Sequence, residues 1–450
     1  MDARTKRLLE RPIGPTLLRL ALPNVVLTSV QASIGLIETY FVAKLGTDAL
    51  AGMALVFPVL MLIQMMSAGG MGGGISSAIA RTLGAGRREA ADALVWHAVA
   101  IALTLGVITT GAAWLAGPSL YAAMGGREAS QAAALAYSDT IFAGAALIWL
   151  FNSLANVIRG TGNMVLPATV ACLGAAVLIP MSAALILGFG PIPRLGITGG
   201  ALAVLVYYAV GCSVFAGFLW SGRGVLRPAW RPARLAWPPA YEILRVGAIA
   251  SLITVTTNLA IAVATGLVAA AGAPAVAGYG TGVRLEYLLV PLVFGLGAPL
   301  TTMVGTNIGA GRRERALKIG WTGAAIAFAV TETIGLMGAA WPQAWLSLFD
   351  TDPLMLAVGS QYLRVVGPFY GFFGGGLALY FASQGAGRLA WPLMAALARL
   401  AIATGGGWLA LRLSGTSLGV FAALGIALAA FGIINATAVW AGAWFAKKLM

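Results

Sequence analysis

The sequence has few of the side chains from which catalytic or metal sites are built. It contains one histidine, His97, two cysteines and 14 acidic residues among 450. There is no HExxH zinc motif, no closely spaced cysteine pair and no Walker-type Gly-Lys-Ser/Thr sequence. Cys172 and Cys212 fall in apolar segments, so no disulfide framework is indicated. We therefore expect no enzyme activity, no metal site, no cofactor and no ATP-driven step, and energy must come from an ion gradient or a partner.

Charged residues are also scarce. They make up only 9% of the chain, while 60% is hydrophobic and the mean hydropathy is +0.89. Soluble domains average about 25% charged residues, so this composition excludes one and indicates a bilayer protein. About 20 apolar residues cross the hydrocarbon core, and the sequence predicts an all-α integral membrane protein with twelve transmembrane helices. The predicted spans are 16–43, 48–78, 92–116, 132–158, 164–190, 197–219, 241–271, 275–306, 316–340, 356–384, 390–412 and 417–446.

The net charge of +14 has an uneven distribution along the chain. Of the 28 basic residues, 21 fall at the two termini and in alternate loops, which lie on one side of the predicted membrane. The positive-inside rule places this side, with both termini, in the cytoplasm. A multi-pass protein of the cell (inner) membrane explains the charge better than a surface for nucleic acid, so the expected partner is the lipid bilayer and no nucleic acid is expected.

One segment occurs twice. LGAGRRE at 83–89 returns as IGAGRRE at 308–314, and Arg159–Gly162 matches Gln384–Gly387, both at an interval of 225 residues. The chain is a tandem duplication, and because each half has six spans, the repeat should be parallel, about an axis along the membrane normal. We expect a six-helix lobe at 1–222, a linker at 223–240 and a second six-helix lobe at 241–450. The glycine run at 69–74 is interpreted as a close helix contact.

Acidic residues within the spans are the candidates for function, because a charge in the bilayer is costly unless it faces water or a partner. There are four: Glu38, Asp139, Glu286 and Glu332. Glu38 ends a polar stripe on the first span, whose members follow helical spacing. The stripe consists of Asn24, Thr28, Gln31, Gly35 and Glu38. This face must line a cavity or pack against another helix.

Glu286 lies about 16 Å from the outer end of its span, close to the midplane. Arg284 is two positions away and about 200° around the helix, so the two do not face each other. We predict ion coupling at Glu38 and Glu286, and a structural ion pair remains the alternative for Glu286. Asp139 and Glu332 are secondary candidates. For Asp139, a position at a solvated helix end is the alternative, because it would give the same sequence pattern.

Polar and aromatic side chains near the same helices are candidates for the substrate cavity. Aromatic rings and methionines suit flat hydrophobic cations through cation–π and dispersion contacts, so small organic cations are the expected substrates. The predicted cavity residues are Asn24, Thr28, Gln31, Tyr40, Thr257, Asn258, Tyr279, Arg284 and Tyr287.

Taken in order along a duplicated twelve-span chain, these motifs resemble the multidrug and toxic compound extrusion (MATE) family of secondary transporters. The resemblance covers essentially the whole chain. Its marks are Pro23 in the first span, the GAGRRE loops, the sequence Arg159-Gly160-Thr161-Gly162-Asn163, and Glu38 followed by Phe41, Val42, Leu45, Gly46, Ala49, Leu50 and Ala51. It implies two six-helix lobes in a V around a cavity open alternately to each side, and export of organic cations in exchange for Na⁺ or H⁺.

The chain departs from the family at both of its ion sites. The family's first-span acid falls on Glu38. The asparagine and aspartate that some members carry on the fifth span align with Pro180 and Ala184. The seventh-span glutamate and tenth-span aspartate of other members fall on Thr257 and about Phe373. Neither family site is complete.

These departures favour H⁺ over Na⁺ as the coupling ion. A sodium site needs about six oxygen ligands, whereas a proton needs one carboxyl that can titrate. The sequence therefore predicts a monomeric multidrug antiporter that exchanges hydrophobic organic cations for H⁺. Two alternatives stay open: a flippase or exporter of a lipid-linked or anionic metabolite in the same superfamily, which should have a more cationic cavity, and a membrane enzyme or scaffold without transport.

Overall fold

The computed structural model describes residues 2–231, 234–269 and 272–445, and the structural statements below concern those residues. Within these ranges the regular structure is helical apart from one isolated bridge between Phe189 and Ile192. The side chain of Tyr287 and the C-terminal lysines, Lys447 and Lys448, lie outside the described residues.

Long apolar helices make up the first half of the chain. They are α1 (Ala3–Glu10), α2 (Ile13–Ala43), α3 (Thr47–Met65), α4 (Gly72–Gly84), α5 (Arg88–Ala123), α6 (Glu128–Ala143), α7 (Ala145–Gly160), α8 (Val165–Leu187) and α9 (Ile197–Trp220). A π-helical turn, Met66–Met71, joins α3 to α4 into one span. The glycines around this turn lie against other helices: a methyl group at Gly72 would overlap Asn156, and one at Gly73 would overlap Gln384. The glycine run is a helix contact, as predicted.

The second half repeats this order. Its helices are α10 (Trp237–Ala269), α11 (Ala273–Gly309), α12 (Arg313–Ala340), α13 (Pro342–Leu346), α14 (Pro353–Val366), α15 (Tyr370–Ala386), α16 (Ala390–Ala401), α17 (Gly407–Ser414) and α18 (Ser417–Trp440). A 3₁₀ turn, Gly367–Phe369, joins α14 to α15, and a π-helical turn, Ile402–Gly406, joins α16 to α17.

Among the described residues, these helices make eleven to twelve membrane spans by length and composition, in agreement with the predicted all-α membrane fold. Eleven are long and apolar enough to cross a bilayer by themselves, and the fourth is the pair α6 and α7, bent by 49° at Gly144. Several helices continue beyond the apolar runs. For example, α5 covers 36 residues, because it begins four residues before and ends seven residues after the predicted span of 92–116.

The beginning of the chain packs on the second lobe. Leu8, Leu17 and Ala21 are buried in the same apolar cluster as the second-lobe helices. The carbonyls of Leu8 and Leu9 accept hydrogen bonds from Asn307 (3.3 Å) and Arg312 (2.8 Å). The expected boundary at residue 222 therefore does not separate the two cores cleanly, because α1 and the start of α2 cross between them.

The linker between the lobes is tied to α5. It runs from the end of α9 at Trp220 to Trp237, so α10 begins four residues before the expected position 241. Asp92 accepts a hydrogen bond from the backbone of Arg227 (2.7 Å). The ring of His97 contacts the carbonyl of Ala93 (2.9 Å) and accepts from the backbone N–H of Ala236 (3.0 Å). The only histidine of the chain thus has a structural role.

The first glycine of each motif copy packs against the helix that precedes the other copy. A methyl group at Gly84 would overlap the carbonyl oxygen of Thr306, and one at Gly309 would overlap that of Arg81. The interval of 225 residues relates position 84 to 309 and 81 to 306, so these are two halves of one pseudo-symmetric contact. The glycines do more than allow a turn: they bring the backbones of α4 and α11 together.

Two hydrogen bonds between the lobes obey the same symmetry. The Ser77 hydroxyl donates to the carbonyl of Gln384, and the Thr302 hydroxyl donates to that of Arg159 (3.0 Å). The interval of 225 relates Ser77 to Thr302 and Arg159 to Gln384. We call these four pairwise contacts the inner seam. It consists of Ser77, Arg81, Gly84, Arg159, Thr302, Thr306, Gly309 and Gln384.

The lobes diverge on the side away from the inner seam. Near the seam, α4 packs against α10, α11 and α15 of the second lobe. The other half of the same span, α3, packs mainly against α6 of its own lobe, and α14 packs against α11, α12 and α18 of the second. The space between the lobes is therefore a cavity that is closed beside the repeat loops and widens toward the opposite side.

Candidate functional site

A cavity between the lobes has a volume of about 1800 Å³, including space open to solvent. The first lobe forms most of its wall, and α11 and α15 of the second lobe close one side. Its aromatic wall carries Phe57, Tyr137, Phe151, Tyr207, Tyr208, Phe294 and Phe381. Its polar wall carries Asn24, Thr28, Gln31, Glu38, Gln64, Ser76, Asn152, Asn156, Arg159, Thr301 and Gln384.

The whole polar stripe of α2 lines this cavity, because its members recur at helical spacing on one face. The Thr28 hydroxyl donates within its own helix to Asn24 (3.0 Å) and lies 3.3 Å from the carbonyl of Pro291 on α11. The side-chain nitrogen of Asn24 is buried and has no hydrogen-bond partner. The stripe therefore presents one unpaired donor to the cavity.

Glu38 is an unpaired carboxyl. Its side chain is 9% exposed, and its Oε1 is buried without a hydrogen bond. Oε1 faces Gly200, where an added methyl group would lie 3.2 Å from it. The phenols of Tyr137 and Tyr208 interact electrostatically with the carboxylate. Among the described residues, no lysine or arginine forms a salt bridge with Glu38. A charge at this position has no local partner that offsets its desolvation.

Four amides form a hydrogen-bonded belt across the cavity. Asn152 donates to Gln64 (3.1 Å) and Ser67 (2.8 Å), and Gln64 donates to the hydroxyl of Tyr208. Asn156 donates to the carbonyl of Ala68 (3.1 Å). Gln384 donates across the lobes to the carbonyl of Gly69 (3.0 Å). The belt holds the side chains of the cavity wall in fixed positions.

Arg159 lines the inner end of the same cavity. The positive-inside pattern places Arg159 among the loop charges, but in the structure it lies in the last turn of α7. Its Nε is buried without a hydrogen-bond partner, and none of the described carboxylates pairs with its guanidinium. Asn152, Asn156 and Arg159 are spaced i, i+4 and i+7, the same signal that revealed the stripe on α2.

Glu286 belongs to a separate site inside the second lobe. Its carboxylate lies 3.7 Å from Arg399 of α16 and 3.4 Å from the hydroxyl of Tyr362. The guanidinium of Arg399 also lies over the ring of Phe373 (4.8 Å). Tyr279 lines this small pocket and not the cavity between the lobes. The partner of Glu286 is therefore Arg399 on another helix, a residue that the sequence did not indicate.

The match to known families covers both halves. The MatE family model matches residues 23–184 and 248–409, two ranges separated by the repeat interval of 225. The chain belongs to the MatE family. The resemblance to the multidrug and toxic compound extrusion transporters is thereby confirmed, and MatE proteins are membrane transporters rather than enzymes.

Relatives of this MatE protein carry different names. The FAD transporter of Shewanella oneidensis is 30% identical over 84% of this chain and 82% of its own length. The probable multidrug resistance protein NorM of Thermotoga maritima is 25% identical, over 85% of this chain and 82% of its own. A solved MOP superfamily transporter from Pyrococcus furiosus, described as having a binding pocket of reversed polarity, superposes with a TM-score of 0.88. It is 25% identical and covers 99% of this chain and 100% of its own.

Several predicted cavity residues of the MatE protein lie elsewhere. Tyr40 is 59% exposed, and the ammonium of Lys44 lies over its ring (4.7 Å). Because Tyr40 is two positions after Glu38, it points about 200° away from the stripe around the helix. The Thr257 hydroxyl donates a hydrogen bond to the carbonyl of Ile253 in its own helix (2.9 Å). Asn258 is exposed and donates to Thr254 of its own helix (2.9 Å). None of the three lines the cavity.

The remaining charged candidates also lie outside the cavity. Arg284 is exposed and its guanidinium lies 5.3 Å from the ring centre of Phe349, so it does not face Glu286, as predicted. Asp139 is exposed on α6. Glu332 accepts a hydrogen bond from the backbone of Gly371 (2.7 Å) and thereby ties α12 to α15. Of the four intramembrane acids, only Glu38 faces the space between the lobes.

Proposed function

We propose that this chain is a secondary transporter that exports small hydrophobic organic cations in exchange for H⁺, with Glu38 as the coupling group. The observation that supports this most is the unpaired, buried carboxyl of Glu38 in the wall of the interlobe cavity. A carboxyl without a fixed positive partner can exchange a proton for a cationic substrate. Glu286, beside Arg399, lacks that freedom.

The surroundings of Glu38 favour a proton over sodium. No second carboxylate lies with Glu38, and the described residues contain no cluster of three or more His, Cys, Asp or Glu side chains that would hold a metal ion. The fifth span offers Pro180 and Ala184 where some family members have ligands. A buried sodium ion needs about six oxygens.

The proposed cycle uses competition at one carboxyl. We place the inner seam and both termini at the cytoplasmic side of the cell membrane, because most basic residues lie there, so the structure corresponds to an outward-open state. A proton that enters from outside neutralises Glu38 and removes its attraction for the cation, which leaves. The proton departs after the seam opens, and the carboxylate binds the next cation. Each ligand shifts the two states only by its different affinity for them.

The substrate would rest on the aromatic wall. Phe151, Tyr207 and Tyr208 of the first lobe pack together with ring centres 5.1–5.3 Å apart, and Phe294 and Phe381 of the second lobe form an edge-to-face pair at 5.2 Å. Such faces attract flat cations. A second candidate cargo is a flavin dinucleotide. It is favoured by the name of the Shewanella oneidensis relative and by the arginine in the cavity.

The test is collapse of a pH gradient in proteoliposomes triggered by a cationic dye, with and without Na⁺. We expect the wild type to release the gradient. Glu38→Gln should abolish the release and bind the cationic dye more weakly, because its neutral amide resembles the protonated carboxyl. Asp139→Asn, an acid exposed outside the cavity, is the matched control and should behave as the wild type. Unchanged proton flux in Glu38→Gln would eliminate the mechanism, and dye transport driven only by Na⁺ would assign a different ion.

A further inference from the structure

We infer that the inner end of the cavity is an anion-binding subsite in which Arg159 receives the carboxylate or phosphate of an aromatic substrate. The inference rests on the proposed transport function and deepens it, because it names the side chain that would hold the negative group of an aromatic cargo such as the second candidate above. Three arginines of the spans, Arg81, Arg159 and Arg399, differ in whether they have a carboxylate partner.

Two of these arginines have a carboxylate partner and Arg159 has none. Arg81 pairs with Glu242 at 3.1 Å, and Arg399 pairs with Glu286 at 3.7 Å. Arg159 reaches the cavity with its Nε unsatisfied, and no described carboxylate lies within salt-bridge distance. A desolvated guanidinium without a partner is costly, and an anionic ligand would remove that cost. Its planar set of donors also matches a carboxylate or a phosphate.

Glu38 is too distant to neutralise Arg159. Arg159 lies two turns inward of Asn152 on α7, and Asn152 is in the amide belt with Gln64 and Tyr208. Tyr208 lies more than two turns inward of Gly200, the neighbour of Glu38. At about 1.5 Å per residue, the two charges are about 20 Å apart along the helices. The cavity therefore has a carboxyl at its outer end and a guanidinium at its inner end.

The contacts of the amides strengthen the assignment to Arg159. Asn156 donates to the carbonyls of Ala68 and Asn152, and Gln384 donates to that of Gly69. Both amides therefore have partners, while the guanidinium of Arg159 has none among the described residues. Tyr207 and Phe151 of the aromatic wall line the same cavity as Arg159. A ligand with its negative group on Arg159 would place an attached ring against Tyr207 and Phe151.

The position also links the subsite to the inner seam. The backbone carbonyl of Arg159 accepts the seam hydrogen bond from Thr302 (3.0 Å). Opening the seam would break this bond beside the guanidinium. In the proposed orientation, Arg159 is thus the first charged group that a substrate meets when the cavity opens to the cytoplasm.

The test measures binding of three probes to the purified transporter by fluorescence titration: riboflavin, flavin mononucleotide and ethidium. The two flavins share one ring and differ by a phosphate. We expect wild type to bind flavin mononucleotide more tightly than riboflavin. Arg159→Gln should weaken the phosphate-bearing probe by about 10-fold or more and leave riboflavin and ethidium within about 2-fold. Arg159→Lys should retain part of the preference, and Arg284→Gln, an exposed arginine outside the cavity, should retain all of it.

The outcomes separate this inference from the proposed function. Equal affinity of wild type for the two flavins, or an equal loss of all three probes in a folded Arg159→Gln variant, would overturn the anion subsite. If Arg159→Gln is unstable, Arg159→Lys supplies the folded comparison: a reduced phosphate preference with unchanged ethidium binding supports the subsite, and a preference equal to that of the wild type overturns it. Because binding is measured without a gradient, absence of proton coupling would refute the antiport alone.

Discussion

At the scale of single residues, the chemistry depends on whether a charge in the membrane has a partner. Glu38 and Arg159 face the cavity unpaired, whereas Glu286 and Arg399 face each other and Arg81 faces Glu242. The former can exchange ligands during a transport cycle. The latter would leave a buried charge behind if they separated. The same residue types therefore have different roles, and the difference lies in tertiary contacts.

The pair of Glu286 and Arg399 yields a prediction about stability. Their side chains are 13% and 9% exposed, so removing one partner leaves the other charge in an apolar interior, at a cost of about 3–5 kcal/mol. We expect Glu286→Gln and Arg399→Gln each to lower the thermal unfolding midpoint, and the double variant Glu286→Gln/Arg399→Gln to recover most of the loss. Thermal unfolding in detergent measures this directly.

The same double variant distinguishes the two roles considered for Glu286. If the pair is structural, the double variant transports with proton coupling like the wild type. If Glu286 couples ions, the double variant is folded but releases no pH gradient. The structural role is the one we expect, because Glu286 has Arg399 and Tyr362 within reach and does not line the interlobe cavity.

Single-residue placement was predictable where it followed from helix geometry and failed where it depended on other helices. The stripe from Asn24 to Glu38 was found because polar residues at helical spacing stand out in an apolar run. Tyr40 does not line the cavity, because nearness to Glu38 in sequence does not place it on the same face of the helix. Arg159 was missed because an arginine close to a loop was assigned to the positive-inside pattern, although its spacing from Asn152 and Asn156 contained the signal.

At the scale of secondary-structure elements, the inner seam is a contact between α4 and α11 that permits no side chain at two positions. Gly84 meets the backbone of Thr306, and Gly309 meets the backbone of Arg81. Sequence comparison of the halves predicted the repeat. It could not predict that the repeated glycines touch each other's helices, because the interval of 225 contains no information about which surfaces meet.

The seam predicts the effect of adding one methyl group. Gly84→Ala and Gly309→Ala should each force α4 and α11 apart and shift the transporter toward the state open beside the repeat loops. Gly217→Ala is the matched control, since that glycine also lies in a helix but nothing is within 4 Å of the added carbon.

The measurement is labelling of a cysteine at Ala155, a cavity residue one turn from Arg159, in a background with Cys172 and Cys212 changed to serine. An impermeant thiol reagent is applied from the side of the repeat loops. Labelling should rise several-fold in both seam variants and stay at the background level in Gly217→Ala. Equal labelling in all variants would mean that the seam does not close the cavity.

At the scale of the whole molecule, the two lobes are joined by more than their linker. The sequence predicted the twelve spans and the duplication, because hydropathy and self-similarity are properties of the chain alone. It did not predict that α1 and the start of α2 pack on the second lobe, with Leu8 and Leu17 fully within its apolar cluster. That arrangement is formed by contacts between residues about 300 positions apart, such as Asn307 with the carbonyl of Leu8.

The packing of α1 and the start of α2 on the second lobe predicts how separated halves of the chain behave. Fragments 1–230 and 231–450, produced together, should associate and transport, because the cut falls in the loop between α9 and α10 while the seam and the crossing of α1 and α2 remain intact. Removing residues 1–11 from the first fragment takes away α1, including the carbonyls that accept from Asn307 and Arg312. Co-purification through a tag on the second fragment should then fall several-fold. If the shortened fragment is recovered as well as the full one, the seam alone holds the lobes together, and α1 contributes nothing measurable to their association.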